Sequence, residues 1–114
     1  MSTSTDPTAA DPTATVHRLA AVDQIPVGEA RTFAVDGEQV AVFRLRDGTV
    51  RGLSAVCSHR GGPLADGQFD ARVVICPLHL AAFDLDTGCS TTGAAPVRRF
   101  DVAVEGADVV LHLP

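Results

Sequence analysis

Cys57-Ser58-His59 and Cys76-Pro77-Leu78-His79 place two thiols and two imidazoles on two short stretches of a 114-residue chain. The pattern is Cys-x-His, 16 intervening residues, then Cys-x-x-His. Thiolates and neutral imidazoles converging from two loops suit zinc or an iron–sulfur cluster. Spacing alone does not separate the two, and structural zinc is the commoner user of a Cys2His2 set. Unrelated buried thiols and surface imidazoles would rarely fall into two Cys/His pairs that each open a loop after a strand. His17 and His112 have no cysteine nearby and read as ordinary surface or strand histidines. Cys89 is the third and odd cysteine. It reads as a small half-buried residue, not a redox thiol.

The elements that must carry these loops are short runs rich in Val and Phe, separated by turn dipeptides. Asp36-Gly37, Asp47-Gly48, Asp66-Gly67 and Glu105-Gly106 predict tight turns with positive φ at glycine. The strand candidates are residues 31–35, 39–45, 49–56, 72–75, 100–104 and 109–113. Within the second run, Val40, Val42 and Arg44 share one parity and Ala41, Phe43 and Leu45 the other. No window has a helical period with caps. The expected fold is all-β, an antiparallel sandwich or small barrel. It is interrupted by loops at 57–69 and 76–81 and by a Gly/Pro segment at 91–96. Asp84 and Asp86 read as turn residues, not a catalytic carboxylate pair.

The length allows one domain. Residues 1–15 are Ser, Thr, Ala, Asp and Pro apart from Met1, and read as a disordered tail before a domain at 16–114. Hydrophobic residues at 46% and charged residues at 20% fit a globular chain. Nine basic residues, all Arg, oppose 14 acidic ones, and the net charge of −5 argues against nucleic acid or an anionic membrane as partner. The start has no basic and then apolar signal pattern, and no run is long enough for a membrane helix. The expected compartment is the cytoplasm, where thiols stay reduced and serve as metal ligands. No nucleophile–base pair, phosphate loop or substrate-pocket signature is present, so no catalytic residue is expected.

Cys57-x-His59-Arg60-Gly61-Gly62-Pro63-Leu64, Cys76-Pro77-x-His79 and Phe83-Asp84-Leu85-x-Thr87-Gly88 together resemble the Rieske [2Fe-2S] family. Gly93-Ala94-Ala95-Pro96 and Phe100-Asp101-Val102 resemble its proline loop and the strand that follows. The likeness covers about residues 16–114 and turns the balance from zinc to one [2Fe-2S] cluster. It implies that Cys57 and Cys76 hold one iron and His59 and His79 the other. It also implies that Gly61 and Gly62 let the backbone approach the sulfides, with Pro63 and Pro77 stiffening the loops.

Departures from the family pattern refine the expectation. High-potential members have a disulfide between the loops and Ser and Tyr hydroxyls on the cluster. The matching positions here are Gly62 and Leu78, and Ala81 and Phe83. A potential in the lower part of the family's range of roughly −150 to +300 mV follows. Leu80 stands where oxygenase-type members commonly have Gly, and is similar to the small subunit of assimilatory NAD(P)H nitrite reductase. The resemblance therefore implies electron transfer as that small subunit, with a nitrite reductase large subunit as redox partner. The alternative is a Rieske ferredoxin serving a ring-hydroxylating oxygenase, and from another class a structural zinc-binding interaction module. Arg60, Leu80 and Pro96 are expected to border the docking face.

Overall fold

The computed structural model describes residues 15–57, 63–77 and 80–113. Nine strands run β1 (Thr15–Ala21), β2 (Ala30–Val35), β3 (Glu38–Arg44), β4 (Val50–Ser54), β5 (Gln68–Phe69), β6 (Val73–Ile75), β7 (Ala82–Asp84), β8 (Arg99–Glu105) and β9 (Asp108–Leu113). All pairings between them are antiparallel. A six-stranded sheet has the order β1-β9-β8-β4-β3-β2, and a second sheet has the order β5-β6-β7. The larger sheet curls until its outer strands approach: His17 Nε2 of β1 lies 3.4 Å from Asp36 Oδ2 in the β2–β3 turn. This is the all-β architecture expected from the sequence.

Strand β3 explains how two cores fit into so short a chain. Successive side chains of a strand point to opposite faces. Val40 and Val42 enter one core with Ile25, Val50, Phe100, Val109 and Leu111. Ala41 and Phe43 enter another with Leu53, Leu64, Val74, Phe83 and both Cys57 and Cys76. Both parities of β3 are therefore buried, which makes it a wall between the two cores. Arg44, on the parity of Val40 and Val42, donates to the carbonyls of Val22 and Ile25 at 3.2 and 3.0 Å. That contact anchors the turn leading from β1 to the end of β3.

Strands β1, β5 and β7 are absent from the sequence expectation. β1 carries an irregularity between Arg18 and Ala20 that breaks its alternation, and β5 and β7 have only two and three residues. Its first residue, Thr15, pairs with Leu113. It thus begins inside the segment expected as a tail, whose residues 1–14 lie outside the described residues.

The turns follow the glycine expectation with one exception. Asp36 and Gly37 have φ of 50° and 80°, the left-handed pair required by a two-residue hairpin between Val35 and Glu38. Gly48 and Gly106 are also at positive φ. Gly67 instead has φ −74°, where any residue fits. Its requirement is space, since a Cβ there would stand 2.1 Å from the carbonyl oxygen of Ile75. Ile75 precedes Cys76, so Gly67→Ala must displace the backbone that carries a thiol. A loss of about 3 kcal/mol is expected in urea unfolding; wild-type stability would show that β6 moves aside freely.

Two exposed carboxylates tie turns together. Asp47 Oδ1 accepts from the Thr49 hydroxyl at 2.6 Å and its N–H at 2.9 Å. Asp70 Oδ1 accepts from the N–H groups of Arg72 and Val73 at 2.7 and 2.8 Å. These bonds hold both carboxyls below their ordinary value of 3.8. A depressed folded-state pKa gives stability that is complete above the unfolded value and lost as pH falls through the folded one. The Tm advantage of wild type over Asp70→Asn should therefore be constant from pH 5 to 8 and shrink below about pH 4. An advantage that grows on acidification would contradict this.

Candidate metal centre

Two strands deliver the thiols. Beyond β4 the chain reaches Cys57, and beyond β6 it reaches Cys76. Both loops are pinched at the neck by backbone contacts. Val56 pairs with Pro63, and Leu64 N–H donates to Ala55 at 2.8 Å. In the second loop, Cys76 N–H donates to Ala81 at 2.8 Å and Leu80 N–H to Cys76 at 3.1 Å. Each neck thus carries one cysteine, and each loop contains one histidine in sequence. His59 and His79 lie outside the described residues, as do Arg60, Gly61, Gly62 and Leu78.

Cys57 and Cys76 are 2% and 0% exposed and belong to the same buried group. Both are free thiols. The other side chains of that group are Ala, Val, Leu and Phe, and among the described residues no polar side chain is buried. Two unpaired thiols sharing an apolar interior fit a group that takes two thiolates from the protein side. Ala81 and Phe83 are buried there, so the positions expected to lack hydroxyls place none beside the sulfurs.

The third cysteine differs from expectation. Cys89, just after a tight turn, is exposed, not half-buried. Asp84 makes that turn: its Oδ1 accepts from the N–H groups of Asp86 and Thr87 at 2.8 and 3.1 Å. Asp86 pairs with Arg51 at 2.7 Å, fastening the turn to β4. The two aspartates are structural, as their sequence context indicates.

Several contacts have no sequence signal. His17 Nε2 of β1 lies 3.4 Å from Asp36 Oδ2 and His112 Nε2 of β9 lies 3.0 Å from Glu105 Oε2, so both are strand histidines with a surface carboxylate beside them. Arg98 pairs with Glu38 at 2.9 Å and lies 4.5 Å above the Phe100 ring, which commits it within the chain. Leu80 occupies the left-handed region at φ 59° and is 71% exposed.

Comparison with known proteins accords with this geometry. Residues 15–104 match the Rieske [2Fe-2S] domain. The biphenyl dioxygenase ferredoxin subunit of Pseudomonas sp. (strain KKS102) is 32% identical over 100 residues, covering 85% of this chain and 91% of that protein. The ferredoxin of carbazole 1,9a-dioxygenase from Nocardioides aromaticivorans IC177 superposes with a TM-score of 0.79 at 38% identity, over 85% of this chain and 96% of that one. A Mycobacterium tuberculosis structure described as an NADH-dependent nitrite reductase small subunit superposes with a TM-score of 0.83 at 25% identity, over 89% and 96%.

Proposed function

The chain belongs to the Rieske [2Fe-2S] family, and we propose that Cys57 and Cys76 hold one iron of its single cluster and His59 and His79 the other. When bound, the cluster takes up and releases one electron. The protein's part is to hold the thiolates in a dry interior and to keep the loops at fixed spacing through their closed necks. The observation that carries the ligand assignment is the burial of both thiols in one apolar group, each at the neck of a loop that contains a histidine. The unit that does this runs from Thr15 or Val16 to the C-terminus.

The chain works as a carrier docked to a larger redox enzyme, and the reading favoured here is a nitrite reductase small subunit in the cytoplasm. Support comes from Leu80 and from the superposition on the M. tuberculosis small subunit over 89% of the chain. The 38% identity to the carbazole dioxygenase ferredoxin favours a second reading, a carrier for a ring-hydroxylating oxygenase. The large subunit or oxygenase would supply the substrate site in either case.

An anaerobic pull-down of the tagged protein from its native cells, followed by an absorption spectrum, separates the two. A large partner with sirohaem and flavin bands is expected. Recovery with an oxygenase would favour the second reading. A colourless protein that contains zinc would overturn both.

A further inference from the structure

Strand β7 has one neighbour in its sheet, β6, so its other edge must find hydrogen-bond partners elsewhere. Residues 89–92 supply them. Asp84 N–H donates to the Cys89 carbonyl at 2.8 Å and Thr91 N–H to the Ala82 carbonyl at 2.9 Å. These bonds flank the antiparallel bridge between Phe83 and Ser90. In a hydrogen-bonded antiparallel pair the two residues exchange both N–H···O bonds, so Ala82 N–H would regularly donate to the Thr91 carbonyl. It donates instead to the Thr92 hydroxyl oxygen, at 3.2 Å. Gly93 follows at φ 90°, which ends the extended run. A side chain thus finishes the ladder where the backbone leaves it.

Ser90 orients that hydroxyl. Its Oγ accepts from the N–H groups of Thr92 and Ala94, both at 3.0 Å. Both acceptor positions are then filled, so the proton shared with Thr92 Oγ1 at 3.2 Å is the one Ser90 carries. Thr92 Oγ1 therefore accepts twice, from Ser90 O–H and from Ala82 N–H.

The bond to Ala82 bears on the neck of the second loop. Ala82 is buried and stands opposite Ile75, the residue before Cys76. Its chain neighbour Ala81 accepts from Cys76 N–H at 2.8 Å. Ala82 is thus held by β6 on one side and by Thr92 on the other. Ala94, bonded to Ser90, packs against the same buried group as Cys76.

We propose that Thr92 is a positioning residue for the Cys76 loop. Its hydroxyl, oriented by Ser90, fixes Ala82, and through Ala81 it keeps Cys76 in place for the metal. The proposal rests on the reading of Cys76 as a cluster ligand.

The test uses full-length protein loaded with cluster. Thr92→Val keeps the branched shape but sets a methyl group against Ala82 N–H, and Thr92→Ser restores the hydroxyl. Thr49→Val is the remote control, since the Thr49 hydroxyl donates to Asp47 at 2.6 Å in the turn before β4. Loss of visible absorbance to excess iron chelator is timed without denaturant. Hydrogen exchange of the peptide spanning residues 76–82 is read by mass spectrometry. Thr92→Val should release iron and exchange amides about tenfold faster than wild type, the factor expected when one buried N–H is left unpaired. Thr92→Ser should stay within about threefold of wild type. Thr49→Val should stay within about twofold, even where its thermal midpoint falls as far as that of Thr92→Val; a merely structural role would accelerate both.

Unchanged iron release or exchange in Thr92→Val, or an equal acceleration in Thr49→Val, would overturn the proposal. A wild-type protein that carries zinc without iron or sulfide would instead overturn the ligand reading, while exchange in Thr92→Val would still report on the Ala82 bond.

Discussion

Cys76→Ser is expected to give a colourless protein that retains less than about one tenth of the wild-type visible absorbance, while Cys89→Ser keeps all of it. The contrast follows from where the two thiols lie. Cys76 is fully buried among Val74, Phe83 and Leu64, at the end of β6 and at the neck of its loop. A serine there is a harder and far less acidic donor, so the iron it is proposed to hold loses a thiolate. The hydroxyl would also lie in an apolar group, where no polar side chain is buried among the described residues. Losing the metal link between the loops and burying that hydroxyl together should cost about 2–4 kcal/mol. Cys89 is exposed behind the Asp84 turn, so its substitution touches neither process. Absorbance and iron content of the purified variants check both expectations, and a red-brown Cys76→Ser protein with full iron would remove Cys76 from the ligand set.

The difference between these two cysteines also marks how far the sequence is readable. Cys57 and Cys76 stand out because each is followed by a histidine at ligand spacing, and the turn glycines frame the loops. The run from Val40 to Phe43 is legible as a strand by its β-branched and aromatic content. Its role as a wall between two cores is not, because alternation cannot say that both faces will be covered. Strand β1 is hidden for a related reason: an extra residue near Leu19 breaks the period-two pattern. Gly67 looks identical to the other turn glycines in sequence, yet its constraint is a carbonyl eight residues further along the chain. Cys89 and Arg98 were beyond sequence reasoning because exposure and the Arg98–Glu38 pair depend on which strands become neighbours. Leu80 was visible as an unusual residue after His79, but only the backbone angle shows that it is held outward against its own preference.

The apolar character of the thiol site leads to the largest functional effect. An oxidised two-iron core with two thiolates and two neutral imidazoles is formally neutral, and reduction makes it −1; four thiolates would take it from −2 to −3. Replacing one neutral imidazole by a thiolate would add a full negative charge to the cluster, which disfavours the reduced form more than the oxidised one. His79→Cys, once loaded with cluster, should therefore fall in potential by on the order of 100–300 mV, judged from the separation between Rieske and four-cysteine centres. His59→Cys should fall by a similar amount if both imidazoles share one iron. Redox titration followed by EPR or visible circular dichroism measures it, and a loaded variant whose potential stayed put or rose would contradict histidine ligation at that position.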